Sequence, residues 1–93
     1  MEQKVTFKSI KKDQYLEYTN EKTSFKLKYE HGDDDVLLAL IIVPEDADWE
    51  HDTQTRISEK RSILEFIGAE FVERQAPGGE YQITDCYIKI FRD

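Results

Sequence analysis

The stretch VLLALIIV, residues 36–43, is the longest apolar run in the chain, and the interpretation of the other segments depends on it. A run of this length is short for a helix, and it ends in the β-branched residues Ile41, Ile42 and Val43, which favour strands. Pro44 follows directly, and the residue before a proline avoids helical geometry. The run therefore predicts a central strand with two apolar faces, both of which must be covered.

Three alternating segments precede this strand. Val5 and Phe7 alternate with polar residues, which is typical of a half-buried strand. Residues 14–19, QYLEYT, form a weaker strand candidate, whereas residues 23–29, TSFKLKY, alternate cleanly. The turn EHGDDD, residues 30–35, contains a glycine and three adjacent aspartates, so it predicts an exposed hairpin tip.

A helix, a short strand and a long strand are predicted after Pro44. The helix spans about residues 51–67, because Ile57, Ile63, Leu64 and Ile67 fall at helical spacing. Gly68 suits the position just past a helix C-terminus. Residues 69–75 then predict a strand, and residues 81–91 a long final strand. The apolar parity slips within that last segment, which indicates a bulge near Thr84–Asp85.

These elements predict a single α+β domain over residues 1–93, in the order ββββαββ. A mostly antiparallel sheet of five or six strands carries one helix packed on one face. One helix cannot cover both faces of such a sheet. We therefore expect either that the sheet curls on itself to bury residues 37–43, or that a second subunit covers the open face.

The charge distribution narrows the class of partner. The net charge is −7, yet residues 1–29 carry seven lysines and four acids, while residues 30–52 carry nine acids and no Lys or Arg. A surface of that sign disfavours nucleic acid and anionic membranes and attracts cations or basic proteins.

The apolar runs are too short to span a bilayer. The single cysteine cannot form an internal disulfide, so we expect a cytoplasmic protein.

The segment PEDADWEHD, residues 44–52, is the candidate site. Trp is enriched among interface hot spots, and surrounding acids speed encounter with a basic partner. The candidate contact residues are Glu45, Asp46, Asp48, Trp49, Glu50 and Asp52. The competing interpretation is an ordinary helix start, in which acids suit the helix dipole, Asp48 or Asp52 caps the helix, and Trp49 packs into the core.

A divalent-cation site is a second use of the same segment. In an extended conformation, Asp46, Asp48, Glu50 and Asp52 would share one face, and several carboxylates suit Ca²⁺ or Mg²⁺. The segment lacks the glycine and the closing acid of a calcium loop, with Ile57 at that closing position. A cation is therefore the alternative, and we expect no cofactor.

Catalysis finds little support in the sequence. Cys86 is expected inside the apolar face of the last strand, where a free thiol is usually inert. No nucleophile and base stand at a recognisable spacing, and no phosphate-binding glycine motif occurs. We therefore expect a protein that is not an enzyme.

The leading hypothesis is a small acidic protein-binding module, such as a stoichiometric inhibitor or immunity-type protein, that docks on a basic protein through residues 45–52. The alternatives are a divalent-cation-binding domain using the same segment and an assembly subunit with no ligand. Either a monomer or a homodimer fits the sequence.

Overall fold

The computed structural model describes residues 2–32 and 35–93, in which six strands form one sheet and two α-helices follow the fourth strand. The expected tip at Asp33 and Asp34 lies outside the described residues. The strands are β1 (Lys4–Ile10), β2 (Asp13–Thr19), β3 (Ser24–His31), β4 (Leu37–Ile42), β5 (Glu80–Ile83) and β6 (Tyr87–Phe91). The helices are α1 (Asp46–Thr53) and α2 (Lys60–Gln75), separated by a 3₁₀ turn at Ile57–Glu59.

The sheet is antiparallel throughout and has the strand order β1-β2-β3-β4-β6-β5. The predicted α+β class and antiparallel sheet are therefore confirmed. The apolar run forms β4, which lies between β3 and β6 as a central strand. Residues 14–19 belong to β2 and pair on both sides, so this weak candidate is a true strand.

The sheet curls around α2, so that both of its edges reach the same helix. At one edge, Arg74 of α2 donates a hydrogen bond to the carbonyl of Val5 in β1 at 2.7 Å. At the other edge, the ring of Tyr81 in β5 lies so close to Gly68 that a Cβ there would stand 2.7 Å from it. Curling is thus how the fold buries the concave face of β4.

The core lies between this concave face and the two helices. Strand residues enter it at alternate positions, as the period of two requires. Its fully or nearly fully buried apolar residues include Val5, Leu16, Tyr18, Leu27, Ala39, Ile41, Trp49, Leu64, Ile67, Phe71, Ile88 and Ile90. Phe7, Tyr29 and Phe71 make edge-to-face ring contacts that connect β1, β3 and α2.

The prediction that both faces of the apolar run are covered is wrong within one chain. Ala39 and Ile41 face the core, but Leu40 is only half-buried and Ile42 is 38 % exposed on the convex face. No helix described in the structure lies over that face, since α1 and α2 both pack on the concave core. The convex face therefore keeps an apolar strip in contact with solvent.

The predicted helix boundaries also need correction. The segment before residue 54 is a separate helix, because Gln54 adopts a left-handed conformation with φ of 58° that ends α1. At the other end, α2 continues through Gly68 to Gln75, so residues 69–75 are helical and not a strand. Leu64, Ile67 and Phe71 keep the helical spacing across Gly68. The glycine permits the close approach of Tyr81 and does not end the helix.

The long final strand is in fact a hairpin. Tyr81 pairs with Ile90 and Ile83 pairs with Ile88, so β5 and β6 are antiparallel neighbours. The parity slip near Thr84–Asp85 therefore marks the connecting turn, not a bulge. Cys86 lies in that turn, half-buried, and not on the apolar face of a strand.

Candidate functional site

The acidic segment folds as a helix, which divides its carboxylates between two flanks. Asp46 and Glu50, four residues apart, lie on one flank of α1. Glu45, Asp48 and Asp52, spaced by three and four residues, lie on the other. The shared face expected for an extended segment is therefore wrong.

The side chain of Trp49 lies in the core, with 0 % exposure. Its ring meets Phe25 edge-on at 5.7 Å between centroids, and its Nε1 donates a hydrogen bond to the carbonyl of Arg56 at 3.2 Å. Of the two interpretations of Trp49, the structure shows the core one. Its inclusion among partner-contacting residues needs correction, because a fully buried ring cannot touch a partner.

Hydrogen bonds hold the C-terminal half of α1 in place. Thr53, 1 % exposed, donates from Oγ1 to the Trp49 carbonyl at 2.7 Å, and Thr23 donates to the Thr53 carbonyl at 2.7 Å. Oε2 of Glu50 accepts the backbone N–H of Ile57 at 2.8 Å. The helix therefore presents its outer side chains from a fixed position.

Asp46 is committed to the fold. Its Oδ1 accepts a hydrogen bond at 2.7 Å from Nζ of Lys60, a side chain that is only 10 % exposed. The same Nζ donates to the carbonyl of Pro44 at 2.9 Å and lies 5.5 Å from the Trp49 ring centroid. Sequence reasoning missed Lys60, because a lysine at helical spacing in a charged segment gives no sign of its burial.

The side chains of Asp48 and Asp52 form no hydrogen bond in the described residues that is comparable to the one between Asp46 and Lys60. Both are exposed, and within residues 2–32 and 35–93 neither forms an ion pair or a side-chain hydrogen bond. Their four-residue spacing makes them repel each other, and Asp52, in the last turn, opposes the helix dipole. Asp48, in the first turn, suits the helix dipole, whereas Asp52 costs the helix a little stability, and both carboxylates remain available.

Glu45 lies beside Asp48 and Asp52 on the same flank of α1, whereas Glu50 lies on the other flank. Glu50 lines a polar recess with Lys22 and Arg56, so the charge is mixed on its side. Oε1 of Glu45 lies 3.7 Å from Sγ of Cys86. Burial raises the pKa of the Cys86 thiol, and the negative charge of Glu45 raises it further. The thiol therefore stays protonated at neutral pH and is a poor nucleophile.

The described residues hold no group of three His, Cys, Asp or Glu side chains that could bind a metal ion. The helical division of the four carboxylates explains why the suggested cation set does not converge. Neither helix in the described ranges is long and apolar enough to cross a membrane. The rigid acidic flank of α1 thus remains the candidate site.

Comparisons with protein-family models, with curated proteins and with solved structures gave no match to this chain.

Proposed function

We propose that this protein is a small non-catalytic binding module that docks on a basic protein through the acidic flank of α1. Glu45, Asp48 and Asp52 form that surface, and Glu50 lies apart from it on the other flank of α1. Asp46 supports it through Lys60, and Trp49 anchors it from within.

The observation that carries the proposal is that Asp48 and Asp52 are exposed and form no ion pair or side-chain hydrogen bond within residues 2–32 and 35–93. Asp52, in the last turn, opposes the helix dipole and repels Asp48 four residues before it, yet it stands on a helix held by a buried tryptophan and threonine. A basic partner would supply the missing counter-charges. A helix that does not move on binding also loses little entropy when the complex forms.

Electrostatic docking of this kind suits a stoichiometric inhibitor or immunity-type protein that covers the basic site of another protein. Complementary charge mainly raises the association rate and screens out wrong partners. Binding through exposed carboxylates should weaken as salt rises, because the Debye length shortens from about 10 Å at 0.1 M to about 3 Å at 1 M.

A decalysine peptide is a defined probe of this surface. Amide NMR spectra of the labelled protein, titrated with the peptide at low salt, should show saturable shifts concentrated in residues 45–52. The shifts should disappear at about 0.5 M salt, where exposed charges are screened. The double variant Asp48→Lys/Asp52→Lys should lose them at any salt concentration.

The matched control is Glu2→Lys/Glu73→Lys, which changes net charge by the same amount on exposed residues outside α1. That control should still bind the peptide through residues 45–52. If both double variants lose binding equally, the peptide senses only total charge, and the proposed surface is wrong.

A further inference from the structure

The convex face of the sheet carries an apolar strip on the neighbouring interior strands β4 and β6. Ile42 of β4 pairs with Tyr87 of β6, and these side chains are 38 % and 40 % exposed. Leu37 pairs with Phe91 further along the same two strands, and both are half-buried. Scattered exposed apolar residues are normal, but here they stand next to one another on two paired strands.

Two charged residues, Glu30 and Lys89, lie in the row of paired residues that crosses the middle of this strip. Glu30 of β3 pairs with Leu40, Leu40 pairs with Lys89 of β6, and Lys89 pairs with Gln82 of β5. Glu30 and Lys89 therefore flank Leu40 on opposite sides, two strand spacings apart, about 10 Å. Neither makes an ion pair within the described ranges 2–32 and 35–93.

We propose that the convex face binds a second copy of this chain, related by a two-fold axis that runs parallel to the strands between β4 and β6. This operation exchanges β4 with β6, so Ile42 meets the partner's Tyr87 and Leu37 meets the partner's Phe91. Each apolar residue of the strip is thus covered by another apolar residue. The face is self-complementary, as a two-fold interface requires.

The same axis brings Lys89 of each copy close to Glu30 of the other copy. Lys89 lies over the partner's Leu40, where its aliphatic stem covers the leucine. Its ammonium then stands one strand spacing, about 4.8 Å, to the side of the partner's Glu30. Two identical Glu30–Lys89 pairs form in the dimer from charges that are unpaired in one chain. A second copy therefore satisfies both the apolar and the charged features of the face.

The proposed contact is small. Four strands at about 4.8 Å spacing and three side-chain rows at about 7 Å cover roughly 20 by 20 Å. Only β5 lies beyond β6 in the sheet, so the partner's sheet ends over β3, and β1 and β2 lie beyond the partner. An interface below about 1,200 Å² in total is typical of weak association. We therefore expect a weak and reversible dimer.

Sedimentation equilibrium of the full chain, under reducing conditions and from about 10 µM to 1 mM, tests the proposal across the range of weak association. The wild type should show a concentration-dependent monomer–dimer equilibrium. Ile42→Lys, which places an ammonium in the strip, should weaken it by about 30-fold or more, as for a central interface residue. Ile10→Lys is the matched control, since Ile10 is 54 % exposed but lies on β1. It should dimerise like the wild type.

A charge exchange tests the axis itself. Glu30→Lys and Lys89→Glu should each weaken dimerisation by roughly tenfold, and the double variant should restore it, because each charge faces its opposite across the axis. Far-UV circular dichroism checks that every variant is folded. A protein that stays monomeric at 1 mM overturns the proposal. So does a dimer that tolerates Ile42→Lys, or a double variant that fails to restore dimerisation.

Discussion

At the scale of single residues, burial decides what Trp49 does. The sequence places this aromatic among acids, where an interface anchor and a core residue look alike. The structure gives it 0 % exposure, a ring contact with Phe25 and a hydrogen bond to Arg56. Trp49 therefore fixes the acidic helix to the core, and the outward residues of α1 carry the proposed binding.

Trp49→Ala should lower the free energy of unfolding by about 3–5 kcal/mol, because it removes a large side chain from a packed core. Trp49→Phe should cost less, since it keeps most of the apolar volume and loses the hydrogen bond to Arg56. Urea unfolding followed by circular dichroism measures both. A cost below about 1 kcal/mol for the alanine variant is the value expected of a surface residue and would contradict the burial.

Cys86 should react slowly with thiol reagents in the folded protein. Burial and then Glu45 raise the pKa of its thiol, so less thiolate is present near pH 8 than in the unfolded chain. Glu45→Gln should increase the rate, since it removes the second of these causes. Kinetics of a chromogenic disulfide reagent, with and without urea, measure this. A folded thiol that reacts faster than the unfolded one would contradict the assignment.

At the scale of elements, the largest error of sequence reasoning concerns Gly68. A glycine after a helical run commonly ends the helix, yet α2 continues to Gln75 because Phe71 extends the buried side. The signal was present in the spacing of Leu64, Ile67 and Phe71. The sequence does not show why residue 68 is a glycine, because Tyr81 of the hairpin approaches it only in the folded chain.

Gly68→Ala should destabilise the protein by roughly 1–3 kcal/mol, because its Cβ would stand 2.7 Å from the Tyr81 ring. In a Tyr81→Ala background the same substitution should become neutral or stabilising by up to about 1 kcal/mol, as helix propensity alone predicts. Chemical denaturation of the four proteins forms a double-mutant cycle. Equal effects in both backgrounds would show that Tyr81 is not the cause.

The β1–β2 pair should make stability fall in acid. Nζ of Lys8 lies 3.1 Å from Oε1 of Glu17, and this hydrogen bond and charge lower the pKa of Glu17 below its ordinary value of 4.5. Because the pKa of Glu17 is lower in the folded protein than in the unfolded chain, its ionised carboxylate stabilises the fold at pH values above the unfolded-state pKa. That contribution disappears as the pH falls from about 4.5 through the lower folded-state pKa.

Glu17→Gln should flatten the decrease of stability in this window. Thermal unfolding between pH 3 and 7 measures it, over the range where carboxylates titrate. The exposed Glu73→Gln variant controls for the loss of one negative charge. An unchanged pH profile for Glu17→Gln would show that the Lys8 pair does not operate in solution.

At the scale of the whole molecule, one core joins every part of the fold. Buried residues from β1 to β4, from both helices and from β6 form a single cluster. The two sheet edges contact the same helix through Arg74 and Gly68. No described segment has a core of its own, so the parts should not unfold separately.

Unfolding should therefore be a single cooperative transition. Trp49 fluorescence reports the core near α1, whereas far-UV circular dichroism reports the sheet and α2, and the two midpoints should coincide in urea. Concentrations of a few micromolar keep the protein below the range of the proposed dimer. Separated transitions would show that the hairpin or α1 unfolds independently.

The sequence by itself determined the α+β class, the antiparallel strands and the central place of β4. These depend on local periodicity, on β-branched residues and on Pro44, all of which act within a few residues along the chain. The same local signals placed the exposed acids of residues 45–52 on the surface, because charged side chains at such density stay in solvent.

Only the tertiary structure decided which way side chains point where local signals are ambiguous. The burial of Trp49, the partnership of Lys60 with Asp46 and the course of α2 through Gly68 depend on segments far apart in sequence. The open convex face is also a tertiary result. The apolar run predicts that both faces of β4 are covered. In the folded chain the helices pack only on the concave face, inside the curled sheet, so the convex face stays open.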